Sequence, residues 1–254
     1  MNPTTLQLPD RTAKPRATGL TMVIDGGLPR AYFADLISSA AQYIDLVKFG
    51  WGTAVVTSDL DAKIEVLRAS EIEFYFGGTL FEKYVLQGRF DDFREFCLEH
   101  AGRHVEVSNG TISLSNSEKA SYIRKLADDF TVVSEVGFKD PRRSEQLPPS
   151  KWIDYIGEDL AAGAALVTLE ARESGRSGIC RPDGELRFGL IEDVLDSGVS
   201  AASLLFEAPT TALQAHFVTR IGPNVNLGNV PAAGVIGLET LRLGLRADTL
   251  AAFE

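Results

Sequence analysis

The stretch IDLVKFGWGT, residues 44–53, begins as a short apolar run and ends in a turn set by Gly50 and Gly52. β-Branched and aromatic residues favour a strand over 44–49, and the two glycines stop it. Between strand and turn stands one cation, Lys48. An ammonium at a strand tip, beside exposed backbone N–H groups, suits a carboxylate or a phosphate. The same residue also reads as a lysine with a buried stem and a head that snorkels to solvent. The decapeptide supports both readings.

Outward from this stretch the same unit recurs. Short runs of β-forming residues end in Gly, Asn or an acid, and longer amphipathic stretches with helical spacing lie between them. Strands are predicted over 20–25, 44–49, 72–76, 104–108, 131–135, 165–170, 203–207 and 224–227. Helices are predicted over 29–41, 58–69, 90–100, 115–129, 149–162, 189–197, 210–221 and 235–245. The fourth helix opens with the capping-box pair Ser115 and Glu118. Strands and helices in strict alternation imply parallel pairing through right-handed crossovers. The fold class is therefore α/β, a single-domain (β/α)8 TIM barrel. An open doubly wound sheet is the weaker alternative. A length of 254 residues suits one such barrel. Residues 1–18, with Pro3, Pro9 and Pro15, read as an irregular N-terminal arm, and 19–254 as the catalytic barrel.

Apolar content of 44% and charged content of 24% are those of an ordinary water-soluble domain. A formal net charge of −10 argues against binding to nucleic acid or to anionic membranes. No apolar run is long enough to span a bilayer, and the N-terminus lacks a signal-peptide core, so a cytoplasmic protein is expected. Cys97 and Cys180 match no metal or redox spacing and read as reduced thiols. His100, His104 and His216 also lack catalytic or metal spacing and read as structural. Trp51 fits either stacking on a ligand or packing.

Two connections are longer than the rest. Residues 138–149 are rich in Pro and charge, and 173–186 contain SGRSG and PDG. Long loops after barrel strands commonly act as lids or bind substrate.

The most specific signal is positional. Asp25, Lys48, Glu135, Glu170 and Glu207 fall at or near the last residue of a predicted strand, and Glu106 shares a strand face with Ser108. Period-two alternation groups them with Val23, Leu46, Val133, Thr168 and Leu205, all residues a barrel interior could hold. Six ionisable groups would then converge on one end of the barrel. A salt-bridge network closing the barrel top explains any one of them. Burying all the carboxylates without compensation would cost several kcal/mol each, so together they point to a hard divalent cation such as Mg²⁺. Asp25, Glu106, Glu135, Glu170 and Glu207 are its candidate ligands. Lys139, Arg172 and Arg176 are the further candidate cations. A lysine near other cations has its pKa lowered and can then transfer protons. In NVNLGN, Asn224, Asn226, Gly228 and Asn229 end the predicted eighth strand, where barrels commonly hold phosphate.

Eight ordered blocks carry a resemblance. They are IDLVKFGWGT, FGGTLFE (76–82), VEVSNGTISL (105–114), SEVGFK (134–139), LEARESG (169–175), LFEAP (205–209), NVNLGNV (224–230) and LETLRLGLRADT (238–249). Over nearly the whole chain they resemble the phosphosulfolactate synthase family. The resemblance implies a TIM-barrel lyase, dependent on Mg²⁺, that adds sulfite to C3 of phosphoenolpyruvate. In methanogens this is an early step toward coenzyme M. It implies that Lys139 is the general acid protonating C2, and that Lys48 and Arg172 hold anionic groups. Substrate-binding positions are then expected at Gly78, Ser108, Arg176, Asn226, Gly228 and Asn229. Phosphoenolpyruvate and a small nucleophile would be the partners, with no nucleic acid and no membrane, and the barrel is expected to be a homo-oligomer.

Three positions depart from the family pattern. Gly26 and Phe138 replace lysines, and Asn109 replaces an aspartate. These changes predict a roomier, more apolar pocket. They leave open a larger or less charged nucleophile in bacterial secondary metabolism, or a non-catalytic, stress-associated barrel.

Overall fold

The computed structural model describes residues 5–253. The strands are β1 Thr21–Asp25, β2 Leu46–Phe49, β3 Glu73–Phe76, β4 His104–Val107, β5 Thr131–Val136, β6 Ala164–Leu169, β7 Leu204–Glu207 and β8 Leu227–Pro231. The helices are α1 Arg30–Ala40, α2 Thr53–Val56, α3 Leu60–Ala69, α4 Gly78–Leu86, α5 Phe90–Glu99, α6 Asn116–Leu126, α7 Pro141–Gln146, α8 Pro149–Ala161, α9 Phe188–Asp196, α10 Thr211–Ile221 and α11 Val235–Arg242. All ladders are parallel, in the order β3-β2-β1-β8-β7-β6-β5-β4. Because β1 pairs with β8, the sheet curls into a (β/α)8 barrel. β3 and β4 face each other with no ladder between them among the described residues.

Every strand is buried on both faces, as a parallel barrel requires. Leu20, Met22, Leu46, Tyr75, Val133, Leu166 and Leu205 fill the barrel interior. Val23, Val47, Val105, Val167 and Phe206 lie in the larger layer between strands and helices. Gly228 lacks a side chain because the interior has no space there: a Cβ would stand 3.0 Å from Met22 and 3.2 Å from Leu205.

Local chemistry sets the helix starts. Ser115 and Glu118 complete the predicted capping box at α6. Asp140 and Thr210 cap α7 and α10 through their side chains. Proline occupies the first turn of α7 and of α8, where its missing N–H costs nothing. No described helix is long and apolar enough to cross a membrane. Cys97 and Cys180 are free and buried, and burial pushes their thiols up to about 12 and about 11.

Four elements differ from expectation, among them the short helices α2 and α7, which form where no helix was predicted. The eighth strand runs over Leu227–Pro231, not 224–227. Asn and Gly there suggest a strand end, but the asparagines begin it, bonding neighbouring backbone. α4 also forms over Gly78–Leu86, a stretch not among the predicted helices. Its glycines start the helix instead of interrupting it.

The N-terminal face of the barrel is sealed by polar contacts. Arg242 is fully buried and donates to the carbonyls of Pro223 and Val225 at 2.7 Å and of Leu20 at 3.1 Å. Arg11, in the segment before β1, bonds Glu239 at 3.0 Å and Asn224 at 2.6 Å.

Candidate active site

Lys48 on β2 points into the barrel, as its alternation with Leu46 predicts, and is buried. Its Nζ lies 2.9 Å from Glu106 on β4, 3.6 Å from Glu135 on β5 and 3.6 Å from Glu207 on β7. Burial pulls its pKa down, but the three carboxylates outweigh that and hold it well above its ordinary value. The snorkelling alternative does not apply. Lys48 is engaged by protein carboxylates, with its one hydrogen bond to Glu106, and it lines the central cavity.

Glu170, just after β6, completes the group. Carboxylate oxygens of Glu135, Glu170 and Glu207 lie within 4.8 Å of one another. Lys139, after β5, stands 3.3 Å from Glu135 and 3.8 Å from Glu170 and also donates to Thr79 Oγ1 at 3.3 Å. Its predicted pKa change is reversed. Burial lowers it, but Glu135 and then Glu170 outweigh burial, and the ammonium is held above its ordinary value. Its nearest charged neighbours are acids, and they outweigh the cation Lys48. Glu135 is pulled down to about 2 despite its burial, by Lys139 and Lys48. Glu170 is pushed well above the ordinary range by burial and then by Glu135 and Glu207. Burial also raises Glu207, and raises Glu106 to about 7 against the pull of Lys48.

Asp25 does not join them. Met22 and Ile24 are the inward residues of β1, so Asp25 shares the outer face with Val23. Lys63 of α3 meets its Oδ2 at 2.7 Å, and its Oδ1 accepts the N–H groups of Gly27 and Leu28. In a strand that is apolar on both sides, alternation fixes the two faces but not which is inward. Glu106 faces inward but lies outside the trio, since Lys48 takes one oxygen and the Gly78 N–H takes the other.

The substrate-binding candidates scatter. Ser108 donates to Glu82 at 2.6 Å, and Gly78 packs against it. Asn226 sits at the opposite end of the barrel. Its Oδ1 accepts the Leu20 N–H, and its Nδ2 donates to the carbonyls of Ala202 and Leu204. Asn224 is held there by Arg11. Gly228 is an interior packing position, and Arg176 is exposed and lines no part of the central cavity. Gly78, Asn229 and Arg172 do reach the cavity.

That cavity, about 20 Å³, is lined by Lys48, Glu135, Lys139, Glu170, Glu207 and Asn229, with Trp51, Thr79 and Arg172 among the other residues around it. It has room for about one water or one ion. The predicted roomier pocket is absent. Gly26 lies under the Trp51 ring, 3.2 Å from where its Cβ would be. Phe138 lies beneath the Arg143 guanidinium at 4.1 Å. Neither lines the cavity.

The two long loops hold each other. Ser177 donates to the Phe138 carbonyl at 2.7 Å, and Arg172 to that of Lys139 at 3.4 Å. Arg187 bonds the carbonyls of Ser144, Gly178 and Leu147. The loop containing α7, which carries Lys139, is thus fixed by the β6–α9 connection. Behind β5, the buried pair Lys119 and Asp159 meets at 2.7 Å, and Lys119 also donates to the Glu135 carbonyl at 2.9 Å. Sequence reasoning passed over Lys63, Lys119 and Glu82. The available signal was a charge inside the apolar stripe of an amphipathic helix.

Residues 9–248 match the family described as (2R)-phospho-3-sulfolactate synthase (ComA). The chain is 49% identical over 249 residues to the phosphosulfolactate synthase of Bacillus subtilis (strain 168), covering 98% of this chain and 99% of that one. It is 41% identical over 235 residues to the phosphosulfolactate synthase of Methanocaldococcus jannaschii, covering 91% and 93% of the two chains. Among solved structures, 3-hexulose-6-phosphate synthase superposes with a TM-score of 0.56 at 15% identity, over 87% of this chain and 98% of that one. At that identity the likeness concerns the fold alone.

Proposed function

This chain belongs to the phosphosulfolactate synthase family and is one of its enzymes; on that premise we propose that it joins sulfite to C3 of phosphoenolpyruvate, with Mg²⁺, to give phosphosulfolactate. The observation that carries the metal is the trio Glu135, Glu170 and Glu207, with oxygens within 4.8 Å. Glu170 Oε2, Glu207 Oε1 and Asn229 Oδ1 are buried acceptors without a hydrogen-bond partner. Orphaned acceptors in a polar cavity of this size suit a hard cation. Electrostatics supports the same reading: burial and mutual repulsion raise Glu170, Glu207 and Glu106 even with Lys48 and Lys139 among them, and a bound cation would relieve that repulsion. When bound, the divalent cation supplies positive charge to a substrate carboxylate as the nucleophile adds.

Lys139 is the general acid of this proposal. Glu135 and Glu170 keep its ammonium charged, which suits a group that must deliver a proton to C2 rather than remove one. Lys48 holds the carboxylates in place, and Arg172, about 40% exposed in its side chain, is the cation left at the rim for an incoming anion. Trp51, 39% exposed, and Arg172 bound the opening, and a three-carbon phosphorylated acid enters by displacing them.

The test is direct. Purified protein with phosphoenolpyruvate, sulfite and MgCl₂ yields phosphosulfolactate by mass spectrometry, and EDTA stops its formation. Product that persists unchanged after complete chelation removes the metal. No product with sulfite, against product with another nucleophile, removes sulfite.

A further inference from the structure

We propose that Asn229 supplies a fourth oxygen, its side-chain carbonyl, to the metal ion held by Glu135, Glu170 and Glu207. This deepens the metal reading above and rests on it.

The backbone of β8 is built to deliver this side chain. Thr21 pairs with Leu227 and Val23 with Val230, so two steps along β1 are matched by three along β8. The extra residue is a bulge, a device that re-aims side chains near active sites. Asn229 adopts φ +49, the left-handed region that Asn tolerates better than most residues. Gly228 cannot carry a side chain there, and Val230 packs outward, so Asn229 is the residue the bulge turns toward the cavity.

The side chain arrives without a protein partner for its oxygen. Asn229 is 4% exposed, and its Oδ1 is buried without a hydrogen bond. An orphaned amide carbonyl is costly unless something bound satisfies it. The same cavity is lined by the three glutamates, and two of their oxygens also lack a hydrogen bond, with only longer lysine contacts: Glu207 Oε1 lies 3.6 Å from Lys48 and Glu170 Oε2 3.8 Å from Lys139. A neutral oxygen also fits the charge of the site. Three carboxylates already surround the position, and a fourth would add repulsion that an amide does not. Asn226 and Asn224, in the same motif, have their oxygens taken by Leu20 and by Arg11 and Thr12.

Metal-stripped, full-length protein titrated with Mn²⁺ by calorimetry, without substrate, tests the assignment. Asn229→Gly keeps the backbone unstrained and removes the oxygen. It is expected to weaken Mn²⁺ by about tenfold or more, the scale on which lost support weakens metal sites. Asn229→Asp keeps an oxygen and is expected to bind Mn²⁺ at least as tightly as the parent. Circular dichroism and melting of both variants separate binding loss from misfolding. If Asn229→Gly binds within about twofold of the parent while Glu207→Gln does not, the metal site stands and Asn229 is not part of it. If Asn229→Asp loses Mn²⁺ as Asn229→Gly does, the side chain acts through its N–H₂, and the assignment fails. If the parent binds no Mn²⁺, the metal reading falls and the assignment falls with it.

Discussion

Lys48 Nζ and Glu106 Oε1 form an ion pair 2.9 Å long inside the barrel, with side chains 8% and 0% exposed. The lysine that opened the sequence analysis is a keystone for carboxylates. Replacing Lys48 with Met leaves Glu106, Glu135 and Glu207 facing one another without it. Breaking a buried pair this way costs about 3–5 kcal/mol. Urea unfolding of Lys48→Met should show that loss. A variant of unchanged stability whose KM alone rises would restore Lys48 as a substrate clamp.

Gly178 adopts φ +63, and a Cβ there would overlap the Glu170 carbonyl oxygen. That oxygen accepts the Ile179 N–H at 2.7 Å, so neither side can retreat freely. Gly178→Ala is expected to displace the Glu170 tip. Activity should fall by at least about tenfold and Mn²⁺ affinity with it, on the scale of lost support around a metal site. Parent-like binding and turnover would show that the loop absorbs the methyl group.

Lys139→Ala is expected to lower kcat by about 10²–10⁴, the range for a lost general acid. Mn²⁺ binding should persist, because the glutamate oxygens that would hold the ion remain. Steady-state kinetics beside calorimetry separate the two effects. Loss of metal and turnover together would make Lys139 part of the binding site rather than the proton donor.

His104 is mostly buried at the start of β4, and desolvation lowers its pKa from the ordinary 6.5, with Glu73 opposing. The folded protein therefore binds this proton less readily than the unfolded chain. The stability involved is fully present above about 6.5 and is lost as pH falls below it toward the lowered folded value. His216 shifts in the same direction for the same first cause. Melting temperature should fall between about pH 7 and about pH 5, and His104→Gln should flatten that slope. An unchanged slope in the variant would show that His104 titrates alike in both states.

The barrel was legible because each strand carries a β-forming run and each helix an apolar stripe, and the strand-tip acids were legible by position. Lys48, Glu106, Glu135, Glu170 and Glu207 all do face inward. Asp25 failed because a strand buried on both faces carries no sign of which side is the interior. Asn226 failed because an asparagine before a glycine looks like the end of a strand, whereas its amide starts one by tying β8 to β1 and β7. Closure of the cavity depended on Trp51, Arg172 and the mutual clasp of two loops, contacts between residues far apart in the chain that no local pattern encodes.

The missing ladder between β3 and β4 gives Glu106 a second duty. Its carboxylate, rooted in β4, accepts the Gly78 N–H that follows β3 and grips Lys48 of β2. The barrel wall is thus tied across this seam by the Glu106 side chain. A change of charge on that thread is therefore expected to change how tightly the hoop is drawn between β4, the turn after β3 and β2.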